Sequence, residues 1–164
     1  MRLSFRIKHH FFNAFREFFV HHHGSLEFRA KVFALIIAVN NSSADESYIL
    51  VQDIGLRIYN NNERADLLML TTKEKVIQLT EERTTDIDTL VNSILHDLKI
   101  VPRYAKKINL EELRELLPLT ADENILCYQE NILEFLEKLK NETLQSKEEQ
   151  INKDELILNS EIKE

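Results

Sequence analysis

Two glycines and two prolines are all that 164 residues contain. They are Gly24, Gly55, Pro102 and Pro118. A β-rich domain must reverse direction every few residues, and its tight turns draw on Gly, Pro and Asn. A chain so poor in turn formers is suited to long helices joined by short polar loops. Apolar residues make up 43% of the chain, enough to build a core. The expected fold is therefore all-α: a single bundle of about six to seven helices, at a length usual for one domain.

Hydrophobic periodicity places those helices. Residues 3–22 read as a helix with Phe5, Phe11, Phe12, Phe15, Phe18 and Phe19 mainly at helical spacing. Gly24 is expected to end it and Ser25 to cap the next, Leu26–Val39, whose apolar residues surround the axis and mark it as central. Asn40-Asn41-Ser42-Ser43 breaks the chain, because these side chains compete with helical backbone. Asp45–Tyr59 follows, with Ile49, Leu50, Ile54, Leu56 and Ile58 as core candidates. Glu63–Glu82 is next, with a bend expected at Thr71-Thr72. Thr85 or Asp86 caps a helix that buries Ile87, Leu90, Val91, Ile94, Leu95 and Leu98. Asn109 caps a short helix that Pro118 ends. Thr120, with Glu123 three residues on, reads as a capping box for a last helix over 121–141. Leu126, Ile132, Leu133, Leu136 and Leu139 would form its buried stripe. Beyond Asn141 apolar residues thin out and charge dominates, which reads as a frayed tail. Three parts result: a basic Phe-rich helix (1–24), the bundle (25–141) and a charged tail (142–164).

Charge is unevenly distributed around a net value of −7. Residues 1–31 hold six Lys and Arg against two acids, and five of the six histidines; residues 141–164 hold three Lys against seven acids. An acidic body does not suit nucleic acid, which needs a continuous basic surface. Cys127 is the single cysteine, so no internal disulfide can form, and a reducing, cytoplasmic setting is expected. The longest apolar run, Val32–Val39, is far too short for a transmembrane helix, and Arg and His interrupt the N-terminus too often for a signal peptide.

Two acidic turns share a pattern. Ala38-Val39-Asn40-Asn41-Ser42-Ser43-Ala44-Asp45-Glu46 takes an apolar helix through an oxygen-bearing turn into a helix that opens with acids. Ala121-Asp122-Glu123 opens the last helix in the same manner, with Glu130 further on. Clustered carboxylate and amide oxygens suit a hard divalent cation. The same acids also complement the positive end of a helix dipole without any metal. Over about residues 26–140 the chain resembles the TerB-like domain, an all-helical module of bacterial tellurite-resistance and stress proteins. That family carries paired Ala-x-Asp-Gly turns followed by a Glu. Asn40 and Asn41 stand where the family has Asp and Gly, Asp122 keeps the Asp, Glu123 replaces the Gly, and Glu46 and Glu130 fall near the Glu positions. The resemblance implies a helical bundle and a divalent cation held by Asn40, Glu46, Asp122 and Glu130. It also implies association with stress complexes or with the inner face of a membrane. No other cofactor is expected.

Other constellations carry less. Adjacent histidines on a helix point about 100° apart, so His21-His22-His23 makes a poor single metal site. Ile94-Leu95-His96-Asp97 resembles the His-Asp signature of HD-type metal phosphohydrolases, the enzymatic alternative, although two ligands do not make a metal centre. No phosphate-binding loop can be built from Gly24 and Gly55. The N-terminal helix presents Arg6, Lys8, Phe11, Phe15, Arg16 and Phe18, a basic aromatic face suited to an anionic membrane or a protein partner. Packing of that stripe on the bundle is the competing expectation. The function expected from sequence is thus a non-enzymatic helical interaction module that docks a protein partner or touches a membrane peripherally.

Overall fold

The computed structural model describes residues 24–40 and 44–161. It is all-α, with no strand among the described residues. Six α-helices are numbered here from the first described one: α1 Gly24–Ile37, α2 Ala44–Tyr59, α3 Asn62–Thr80, α4 Ile87–Ile100, α5 Leu110–Arg114 and α6 Glu123–Glu161. Short 3-10 turns at Pro102–Lys107 and Leu117–Leu119 join α4 to α5 and α5 to α6.

α1 is the axis of the bundle. Leu26, Phe28, Ala30 and every residue from Val32 to Ile37 are buried, so its apolar surface runs all the way round. A helix of that kind must be enclosed, and α1 packs against α2, α3, α4, α6 and the Pro102–Lys107 turn. Its three charged side chains each find a partner on a different neighbour. Glu27 accepts from Lys75 of α3 at 3.2 Å, Lys31 reaches Asp97 of α4 at 2.6 Å, and Arg29 lies 3.8 Å from Glu112 of α5. Gly24 opens α1. A methyl group at Gly24 would come within 2.5 Å of the Tyr104 hydroxyl, so the residue answers a close approach, not a turn.

α2 and α3 form the most extensively packed pair. Asn60, at φ 48°, reverses the chain between them in the left-handed conformation that Asn tolerates, and Asn61 caps α3 by accepting from the Arg64 N–H. Gly55 lets the two backbones approach: a Cβ there would stand 3.0 Å from the Ala65 Cα. The buried apolar side chains of α2 are Tyr48, Val51 and Ile54, while Ile49 is 61% exposed and Leu56 also faces out. Of the expected core set for this helix, Ile54 is buried and Leu50 and Ile58 pack partly buried against the core, so only Ile49 and Leu56 depart from it. α4 behaves as expected at its start, where Asp86 accepts from the Thr89 N–H at 2.7 Å. Leu90, Ile94 and Leu98 are buried, but Leu95 is not.

The last helix departs most from expectation. α6 does not stop at Asn141 but runs 39 residues to Glu161. Ile132, Leu133 and Leu136 are buried against the bundle, whereas every residue from 151 to 160 is exposed. Nothing between Leu119 and Glu161 breaks a helix, since the stretch holds no Gly and no Pro. Loss of apolar periodicity thus marks where α6 leaves the core, not where the helix ends.

Burial of Tyr48 has a measurable consequence. Desolvation, helped by the carboxylates of Glu81 and Asp45, pushes its phenol from 10.0 up to about 12. The folded pKa lies above the unfolded one, so the neutral phenol stabilises the fold fully below pH 10, and that contribution disappears as pH rises through about 12. Urea unfolding followed from pH 9 upward is expected to show a loss of stability that Tyr48→Phe reduces. An identical loss in the variant would place its origin elsewhere.

Candidate functional site

The two acidic turns do meet, but through neutral groups. Asn40 ends the turn after α1, and its Nδ2 donates to the Thr120 Oγ1 at 2.8 Å. Thr120 in turn donates to the Gln129 Oε1 at 2.7 Å, and the Gln129 Nε2 donates to the Ile36 carbonyl at 3.1 Å. All three side chains are buried, with Gln129 only 1% exposed. The carbonyls of a helix's last turn lack intrahelical partners, so α6 caps the end of α1 with a side-chain amide. Thr120 is consumed by this chain of bonds. The start of α6 is capped by Asp122 instead, whose Oδ1 accepts from the Asn124 and Ile125 N–H groups at 2.8 and 3.1 Å. The expected capping box of Thr120 and Glu123 is corrected accordingly.

The four expected cation ligands therefore have separate placements. Asn40 is in the buried amide chain, Asp122 caps its helix, and Glu46 and Glu130 are exposed. Among the described residues no three His, Cys, Asp or Glu side chains come together as a metal site, so Glu46, Asp122 and Glu130 do not converge. Glu130 instead lines an open cavity of about 530 Å³ beside Thr120, Leu126, Arg114 and Pro118. The His96-Asp97 pair is also accounted for locally. Asp97 holds Lys31, and His96 faces solvent on α4. Arg6, Lys8, Phe11, Phe15, Arg16 and Phe18 lie outside the described residues, as does His21-His22-His23.

A second concave surface was not anticipated. The C-terminal end of α4, the Pro102 turn and the middle of α6 enclose a groove of about 510 Å³. Leu95, Leu98, Pro102, Leu139 and Ile151 give it an apolar lining, and Glu142, Lys147 and Gln150 lie along the α6 side. Side chains around it stay exposed: Leu95 at 39%, Ile151 at 47% and, at the end of α4, Ile100 at 64%. Further along α6, Leu156, Ile157 and Leu158 are each more than half exposed. No family model, no curated protein and no solved structure matches the chain. Its function must be argued from these surfaces alone.

The groove is held rigidly where it meets the bundle. Leu98 is buried in the core, Lys140 donates to the Ile108 carbonyl at 2.8 Å, and the Thr143 hydroxyl bonds back to the Leu139 carbonyl. Leu95 consequently sits on helical backbone that packs against the bundle, whereas Ile151 and Leu156–Leu158 lie on the part of α6 beyond it. One signal in the sequence pointed here: Ile151 and Leu158, seven residues apart, share a helix face inside a segment otherwise dominated by charge. No described helix is long and apolar enough to cross a membrane.

Proposed function

We propose that the protein is a non-enzymatic helical interaction module that docks a protein partner on the groove between α4 and α6. The supporting observation is the row of exposed Leu95, Ile100, Ile151 and Leu156–Leu158 on and beyond a concave, apolar-lined surface. Single exposed apolar side chains are ordinary, but a grouped set beside a groove marks an interaction surface. The geometry suits an amphipathic helix laid between two helices, which buries its apolar face and leaves charges at the rim. The likeness of the acidic turns to TerB-like domains adds an association with stress complexes or a membrane face to this proposal, and rests on sequence alone.

The full chain and its Leu95→Asp/Ile151→Asp variant, each used as bait in extract of the cells that make it, test the reading. Both positions are exposed, so the fold should tolerate the change. A protein retained by the parent chain and reduced at least about tenfold by the variant is expected, since desolvating two carboxylates in an apolar interface is costly. Equal retention of every bound protein by both baits would remove the groove from the function.

A further inference from the structure

We infer that the outer half of α6 pairs antiparallel with the same segment of a second copy of this chain. This deepens the proposal above by naming the partner, and rests on it in taking the α6 wall of the groove as a contact face. Three observations select a second copy.

The first is a helix that continues with nothing to lie on. Every residue from Glu148 to Ser160 is exposed, yet the backbone stays helical through Glu161. An isolated helix of that length is marginal in water, and most helical stability comes from packing an amphipathic face. A second helix laid along this segment supplies such a contact.

The second is where the apolar residues fall. Ile132, Leu133 and Leu136 form the side of α6 that packs on the core. At helical spacing that side continues outward through Lys147, Ile151, Asp154, Ile157 and Leu158. The core-facing stripe thus keeps three apolar side chains after the core has ended, each of them about half exposed. Leu144, partly buried at the edge of the body, lies in one line with Ile151 and Leu158 at seven-residue steps. Glu148, Glu149, Lys153 and Glu155 fall outside the stripe.

The order of charge is the third. Lys147 and Asp154 share the stripe, seven residues apart and opposite in sign. Asp154 accepts from Gln150 of its own helix at 2.9 Å, and among the described residues neither Asp154 nor Lys147 has an ion-pair partner. A two-fold axis beside Ile151 sets two copies of α6 antiparallel and makes each contact twice, as in any interface built from one patch on both subunits. Ile151 then meets Ile151 of the second copy, Leu144 meets Leu158, and Lys147 meets Asp154. One register satisfies the apolar line and the charges together. Parallel pairing would place Lys147 on Lys147 and Asp154 on Asp154, which like-charge repulsion opposes. An unrelated helix would have to reproduce this sign order, whereas a second copy carries it by construction. With so few apolar side chains the contact is small for a stable interface, so the dimer is expected to form reversibly with concentration.

Sedimentation equilibrium of the purified full chain over a range of concentrations tests the inference, with Lys147→Asp and Asp154→Lys as variants. Each variant sets two pairs of like charges across the axis and is expected to weaken dimerisation at least about tenfold. An equal mixture of the two should recover it, because their heterodimer regains two opposite-charge pairs, and Lys147→Asp/Asp154→Lys in one chain should pair like the parent. Neither position is in the core, and unchanged urea midpoints would show the bundle intact. A parent chain that sediments as a monomer at every concentration overturns the inference. A dimer indifferent to the single reversals overturns it too, as does weakening without recovery in the mixture. Leu95→Asp separates this outcome from the proposal above, because Leu95 stands on the α4 wall of the groove, outside the pairing stripe. A charge-dependent dimer that Leu95→Asp leaves unchanged upholds the pairing and removes the groove alone. A monomeric parent chain whose partner from extract is lost in Leu95→Asp/Ile151→Asp sinks the inference alone.

Discussion

Replacing Phe28 with alanine is expected to lower the unfolding free energy by about 3–5 kcal/mol. Phe28 has no solvent exposure and lies on the helix that the rest of the bundle surrounds. Its ring stands 5.3 Å from that of Tyr104, tilted by 33°, so the substitution removes an aromatic contact as well as buried area. Leu26, Ala30 and Val32 beside it on α1 are buried in the same core. Natural domains of this size are stable by only about 5–15 kcal/mol, so the variant should unfold at a markedly lower urea concentration. A loss under about 1 kcal/mol would mean that Phe28 is not part of a close-packed core.

Thr120→Val is expected to cost on the order of 3 kcal/mol, although it keeps the side chain's shape. The hydroxyl lies between Asn40 and Gln129, receiving from one and donating to the other. Valine removes the acceptor from one buried amide and the donor from another, and each deprived group loses about 1–3 kcal/mol. Two variants identify the origin of the loss. In Thr120→Val/Gln129→Leu the second change removes a polar group that the first has stranded, so the double variant should be more stable than the sum of the single losses predicts. Additive losses in thermal or urea unfolding would show that the three side chains do not act as one unit. The same cycle separates this arrangement from a cation site, since added Ca²⁺ or Mg²⁺ stabilises only a protein that binds it.

The helices were legible in the sequence because their signals are local. The scarcity of Gly and Pro, the Asn and Asp caps at Asn109 and Asp86, and the apolar girth of α1 each depend on residues within a turn or two. What was not legible depended on distant neighbours. Thr120 looks like an N-cap from its own context, and Asn40, 80 residues away, together with Gln129 draws it into another role. Ile49 and Leu56 match a helical period as well as Val51 and Ile54 do, and the choice of buried face was made by α3, through the close approach at Gly55. The acidic turns announced their meeting but not its chemistry. Carboxylates are the conspicuous residues there, yet the contact is made by an amide, a hydroxyl and a second amide, because neutral groups can be buried at far lower cost than charges. The outer half of α6 was missed for a related reason. Amphipathic periodicity reports a helix that packs on a core, and α6 continues where there is no core to pack on.

A cylinder that is apolar on every side carries no information about its own azimuth. Turned about its axis, α1 would still present Leu, Ile, Phe and Val to each neighbour, and area burial alone would distinguish the settings weakly. Glu27, Arg29 and Lys31 remove that degeneracy. They point to α3, α5 and α4 respectively, so a rotation that satisfies one of them strands the others at half-buried positions. Three charges of mixed sign thus act as indexing pins for the central helix, and through it they set the angular order of the helices around it. The groove between α4 and α6 inherits its shape from that order, because α4 stands where Lys31 holds Asp97.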